Sequence, residues 1–174
     1  MAIIGFVKVQ SSTIENKYLR VKSINIGACL YEVYDKKKKI NLILNLGPTK
    51  NYSSKNFYVG ATCGRYAGRI SNSKFNIKNK IYKLDGNEGK NTLHGGKIGF
   101  DRLEWKIHQH SKNKIIYKLL SKNLDQGFPG DLNSECIFEI KNKSLFIKYQ
   151  YKSNQLTHVS LTNHSYWNLN KNKK

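Results

Sequence analysis

The chain has 174 residues with 31 Lys+Arg against 11 Asp+Glu, a net charge of +20, and only two Pro and 13 Gly. At 39% hydrophobic and 11% aromatic it is too apolar for a disordered chain, and a domain of this size buries roughly two thirds of the surface its unfolded chain exposes. Collagen-like and Pro-rich architectures are excluded, and no apolar run approaches the roughly 18 residues of a membrane-spanning helix, so no membrane partner is expected.

The chain opens with MAIIGFVKVQ, which has no basic region ahead of an apolar stretch too short for a signal peptide; a cytoplasmic protein is expected. Cys29, Cys63 and Cys136 are far apart, odd in number and without CxxC spacing, which suggests neither a disulfide framework nor a zinc site but reduced, partly buried thiols. Of the basic residues 27 are Lys and 4 are Arg, spread along the whole chain, and Asn (20) and Ile (17) are abundant too. These three residue types share A/T-rich codons, so genomic base composition accounts for the charge without a nucleic-acid partner. A basic nucleic-acid-binding β domain stays as an alternative, because clustered cations do release counterions from phosphates.

Along the chain, two-residue alternation of Tyr, Ile, Val and Phe predicts short strands at 18–24, 29–34, 40–46, 74–77, 80–84, 114–120, 135–140, 145–151 and 159–164. The clearest places Leu145, Ile147, Tyr149 and Tyr151 on one face. The run Lys36, Lys37, Lys38 and Lys39 after Asp35 reads as a solvated turn, DGNEG and DQGFPG as further turns, and 170–174 as a frayed tail. No helical period of useful length appears, so the fold class is an all-β sandwich or barrel, one domain over residues 1–174.

Three segments carry residues that packing alone does not explain. GATCGRYAGRI (60–70) concentrates three glycines and half the arginines in eleven residues; with no GxxxxGK[ST] or GxGxxG it suits an Arg at a sheet edge facing a polyhydroxyl or carboxylate ligand better than a phosphate loop. NTLHGG places His94 in a loop beside two glycines, equally readable as an active imidazole or a turn residue. LTNHSYWNL places His164 at the end of an apolar strand beside Tyr166 and Trp167, aromatic surface of the kind that packs on sugar rings. His108 and His110 form an HxH pair without further ligands at a convincing spacing, so no metal site is expected. Ser165 lacks a GxSxG elbow, which leaves nucleophilic catalysis unsupported.

Taken in order, GATCGRYAGRI, KFNIKNKIYKLDGNEGKNTLHGG with GFDRLEW, DQGFPGDL and LTNHSYWNL resemble the aldose 1-epimerase (galactose mutarotase) family in composition, order and spacing over essentially the whole chain. The resemblance implies a galactose-mutarotase-like antiparallel β-sandwich and an isomerase, free of metal and cofactor, that interconverts the α and β anomers of aldoses such as glucose and galactose. By the same resemblance His164 matches the catalytic acid, His94 the His near the ring oxygen and Arg69 an Arg that contacts sugar hydroxyls, with Tyr166 and Trp167 beside the acid. Gly68 stands where many members have an Asn. Family members continue past TNHSYW into a segment bearing a sugar-binding Asp and the general-base Glu, whereas this sequence stops five residues after Leu169. A form truncated at its carboxyl terminus is therefore expected, of doubtful activity alone and open to association through uncovered sheet edges. The alternative on the same fold is a non-catalytic carbohydrate-binding remnant.

Overall fold

The structure is a computed structural model and describes residues 8–52 and 58–170. Its first sheet is antiparallel in the order β1 (Ser11–Glu15), β2 (Leu19–Ile24), β3 (Cys29–Asp35), β4 (Ile40–Asn41). Asn16 closes the first hairpin, its Oδ1 accepting from the Tyr18 and Leu19 amides at 2.8 and 2.9 Å, a local bond that turns the chain without glycine. Asp35 does the same after β3, accepting from the Lys38 amide at 2.9 Å, so the lysine run is indeed a turn.

Short pairs follow: β5 (Thr62–Cys63), β6 (Arg69–Ile70), the hairpin β7 (Lys74–Ile77) and β8 (Lys80–Lys83), and β9 (Thr92–Leu93), which pairs with β6. The second sheet is a meander of β10 (Lys106–His110), β11 (Lys114–Ser121), β12 (Leu132–Lys141) and β13 (Ser144–Ser153). β14 (Thr162–Asn163) returns to pair with β5.

The core lies between the two sheets because each has one face of alternating apolar residues. Ile14, Val21, Leu30 and Val33 meet Ile115, Tyr117, Cys136, Phe138 and Ile140, with Phe100 and Trp105 between them. Two large polar side chains of this layer are paired: the Tyr117 hydroxyl and Ser23 Oγ are 2.8 Å apart, and Trp105 Nε1 donates to the Phe100 carbonyl at 3.0 Å. Burial pushes the Tyr117 phenol up to about 12, so it stays a neutral hydrogen-bonding group. Backbone bonds from Gly27 to Leu103 and from Trp105 to Asn25, both 2.8 Å, tie the loop before β10 to the first sheet.

The expected face of β13 is present, with Leu145, Ile147 and Tyr149 opposite Ile140, Phe138 and Cys136. Two expected strands shrink. Within 40–46 only Ile40–Asn41 is strand, because Asn41 Oδ1 takes the Val33 amide at 3.1 Å and so replaces a ladder bond with a side chain. Within 159–164 only Thr162–Asn163 remains, since its partner β5 is two residues long. Strands β1, β5, β6, β9 and β10 carried too few apolar residues to be read; β10 is exposed at all five positions. Of the tail, only Asn170 falls within the described residues.

Phe138 is fully buried, whereas Phe146 on the neighbouring strand is 51% exposed. Urea unfolding of Phe138→Ala is expected to show a loss of about 3–5 kcal/mol and that of Phe146→Ala a change within about 0.5 kcal/mol; equal losses would place the core elsewhere.

Candidate active site

The three unexplained segments meet through backbone bonds. Gly60 donates to the His164 carbonyl at 3.0 Å and His164 to the Ala61 carbonyl at 2.8 Å, which sets the end of β14 beside the start of GATCGRYAGRI. On the other side Arg69 pairs with Leu93, and the His94 amide donates to the Gly68 carbonyl at 3.0 Å. Two glycines allow this convergence: a Cβ at Gly60 would overlap the Leu30 carbonyl, and one at Gly95 the Gly64 carbonyl, while both have positive φ (73° and 96°).

The rings that result are close. The His94 and His164 centroids are 5.3 Å apart at 89°, and the Tyr166 ring lies 5.1 Å from His164. Tyr58 contacts both imidazoles, at 4.7 Å from His94 and 5.7 Å from His164. The Gly68 amide donates to His94 Nδ1 at 3.1 Å, so Nδ1 is an acceptor and the neutral ring carries its proton on Nε2, facing away from that bond. Burial, then the neighbouring His164 and Arg69, hold His94 below its ordinary range and favour this neutral form.

Arg69 stands at the rim with its side chain 63% exposed, and its fork is occupied: Nε and Nη2 each donate to Glu88 at 2.6 Å. Each partner favours the other's charge, so Glu88 is held below and Arg69 above the usual range. Nη1 makes none of these bonds and remains the side of the guanidinium that can meet a hydroxyl.

Two imidazoles, a rim Arg and tyrosine rings on sheets of this order match a known group. The sequence model of the aldose 1-epimerase family matches residues 10–174. The chain belongs to the aldose 1-epimerase family. It is 35% identical over 168 residues to a galactose mutarotase of Sus scrofa, a match covering 95% of this chain and 49% of that protein. An aldose 1-epimerase of Haemophilus influenzae is 35% identical over 166 residues, covering 92% of this chain and 48% of that protein. The crystal structure of a galactose 1-epimerase from Lactobacillus acidophilus superimposes with a TM-score of 0.86 at 29% identity, over 97% of this chain and 52% of that one. The fold is accordingly the antiparallel galactose-mutarotase-like sandwich, and the chain spans about half the length of the curated relatives it matches.

Not every singled-out residue reaches the site. Trp167 is 52% exposed and bridges to Ile43 instead of packing on His164. Arg65, the other arginine of GATCGRYAGRI, is fully buried and donates to the carbonyls of Pro129 (2.9 Å), Gly130 (2.8 Å), Ser121 (3.1 Å) and Lys122 (3.0 Å), so it holds the DQGFPGDL loop. A bulge at His108 breaks the alternation that the HxH pair presumed, and His110 Nε2 is committed to the Thr13 carbonyl at 2.8 Å. Among the described residues no group of three His, Cys, Asp or Glu could hold a metal, and no helix is long and apolar enough to cross a membrane. Gly68, at φ 96°, has nothing within 4 Å of a Cβ position, so the space at this position is open.

Three participants escaped the sequence reading. Tyr58 sits outside every quoted block, Glu88 looked like a turn residue in DGNEG, and Asp101 stood in the GFDRLEW block with no role of its own. Asp101 is buried behind Gly99, whose Cβ would lie 2.6 Å from both Asp101 Oδ1 and the His94 carbonyl. Burial, only partly offset by Arg102 with Nε 3.6 Å from Oδ2, pushes its carboxyl up to about 6.

That shift fixes a pH dependence. The folded chain holds the Asp101 proton more tightly than the unfolded chain, so its contribution is complete below the model-peptide value of 3.8 and is lost as pH rises through about 6. His94 acts oppositely: its depressed value makes its contribution complete above 6.5 and lost as pH falls. Asp101→Asn removes the first effect alone. Its stability relative to the parent should rise by about 2 kcal/mol between pH 4 and pH 8, measured by urea unfolding. A pH-independent difference would place Asp101 in an ordinary carboxylate environment.

Proposed function

We propose that this chain carries the acid half of an aldose 1-epimerase site, which interconverts the α and β anomers of free aldohexoses such as glucose and galactose. The observation that carries the reading is the pair of imidazoles 5.3 Å apart between tyrosine rings, with Arg69 at the rim, in a chain of this family. His164 is the general acid, His94 and Arg69 bind the sugar, and Tyr166 lines the site beside His164.

His164 gives its proton to the ring oxygen as the bond from C1 to that oxygen breaks, and a base takes the proton of the C1 hydroxyl, leaving an aldehyde. Rotation about the C1–C2 bond and the reverse transfers close the other anomer. His94 suits a fixed donor near the ring oxygen because Nδ1 is occupied and Nε2 bears the proton. Arg69, braced by Glu88, offers Nη1 to a sugar hydroxyl. The interconversion changes no oxidation state, so the reading needs proton transfer and no cofactor. The base is the Glu that the family resemblance places after the TNHSYW block, and residues 1–174 are read as the preceding part of one such domain.

Edge strand β13 supports a role for further strands. Its core-facing Leu145, Ile147 and Tyr149 are only partly covered, and Phe146 and Tyr151 are more than half exposed. This edge is where additional strands, in the same or a separate chain, would add. The three cysteines are free and buried, as suits a reducing cytoplasm.

In a chain extended to the length of its relatives, His164→Ala should lower mutarotation of fresh α-glucose, followed by polarimetry, by about 10²–10⁴-fold with an unchanged unfolding curve. Arg69→Ala should act chiefly on KM, because the guanidinium binds hydroxyls and moves no proton. Parental turnover in His164→Ala would refute the assignment of the acid.

A further inference from the structure

We infer that Tyr58 is a positioning residue whose ring holds the His94 and His164 imidazoles in their relative orientation. Among the described residues it is the one ring in contact with both: 4.7 Å from His94 with the planes at 63°, and 5.7 Å from His164 with the planes at 31°. The imidazoles stand nearly perpendicular to each other, at 89°, and the Tyr58 ring lies against both. Tyr166 touches His164 of the pair, and the hydrogen bond from Gly68 fixes only His94.

The backbone shows that Tyr58 is held in place from the core. Its φ of 60° lies in the left-handed region, which costs a non-glycine residue roughly 1–2 kcal/mol and persists where neighbouring bonds over-determine it. Those bonds are present. The Tyr58 carbonyl accepts from the Ala61 amide at 3.0 Å, Val59 is buried with its carbonyl accepting from Cys29 Sγ at 3.2 Å, and Gly60 is bonded to His164 at 3.0 Å. The ring therefore projects from the same turn that carries His164's backbone partner. His94 has positive φ as well, 50°, so the two residues in this edge-on ring contact both occupy a conformation that only surrounding structure maintains.

The phenol has no part in this argument. Burial raises it above its ordinary range, so it is neutral, and its ring face and edge make the contacts. Phenylalanine should consequently serve as well as tyrosine, and a branched aliphatic side chain should not. For the reaction the inference rests on His94 and His164 being the reacting pair, but the geometry can be tested without sugar.

The chain has five histidines, few enough to resolve in imidazole proton–carbon spectra. In Tyr58→Leu the resonances of His94 and His164 should both move, because each loses the ring current of Tyr58, while His108, His110 and His158 stay in place. His158, which packs on Phe75 at 4.7 Å, is an internal control for a ring contact outside the site. Tyr58→Phe should reproduce the parental spectrum. Unmoved His94 and His164 resonances in Tyr58→Leu overturn the inference, as do equal shifts in Tyr58→Phe. Should Tyr58→Leu fail to fold, dipolar contacts between the Tyr58 ring protons and both imidazoles in the unsubstituted chain decide the matter, and their absence overturns it. Failure of mutarotation with these spectra as expected would sink the enzymatic reading and leave the positioning role standing.

Discussion

The site depends on how closely the turn at Gly60 approaches strand β3. The Leu30 amide donates to the Gly60 carbonyl at 2.7 Å, a bond that only a residue without Cβ permits there, and Asn163 Nδ2 reaches the same carbonyl at 2.9 Å across 103 positions of sequence. One carbonyl thereby joins the first sheet, the GATCGRYAGRI segment and β14. His164 follows Asn163 directly, so its place near His94 is set by the core and not by a flexible loop. The two-stranded pair of β5 and β14, marginal alone, is held because the Leu30 amide bonds to Gly60 and the Thr62 amide donates to the Gly27 carbonyl at 2.8 Å.

The two arginines of one eleven-residue segment show how position separates structure from chemistry. Arg65 is buried with carbonyl oxygens around it, and desolvation alone lowers its affinity for the proton, a cost that its hydrogen bonds offset. Its work is to keep the 121–130 loop closed, because removing the guanidinium would strand several buried carbonyls. Arg69, four residues on, lies past Gly68 and emerges at the rim, where a carboxylate orients it and water reaches the rest. A charge meant for a ligand has to remain partly hydrated until the ligand replaces that water, and exposure of 63% meets that condition.

Much of this was legible in the sequence where the pattern was long. β11, β12 and β13 follow the two-residue alternation to within a few residues, and the turn at Asp35 was marked by a residue that bonds its own backbone. Two-residue strands such as β5 and β9 have no period to detect; they exist because distant backbone meets there. The His94 and His164 segments stood out because His beside Gly, Asn and aromatics is expensive to explain as packing, and the structure does bring them together. Tyr58 was invisible for the opposite reason: an aromatic in a β-rich chain looks like core, and only its φ and its two imidazole neighbours reveal another task. Arg65 and Arg69 were indistinguishable, since burial is a property of the assembled sheets.

The environments of the two imidazoles differ in a way that suits a division of labour. His94 is tied at Nδ1 to a backbone amide, and protonating it would require giving up that bond while placing a cation among His164 and Arg69. It is therefore suited to donate from Nε2 without exchanging its proton. Among the described residues the His164 ring has no such tether: its own main chain is bonded at both ends, to Gly60 and Ala61, and its imidazole is flanked by the rings of Tyr58, His94 and Tyr166. An imidazole held by aromatic surface keeps its orientation without committing either nitrogen. That leaves both nitrogens available to carry a proton in one direction and receive it in the other, as the proposed acid of a reversible ring opening would need.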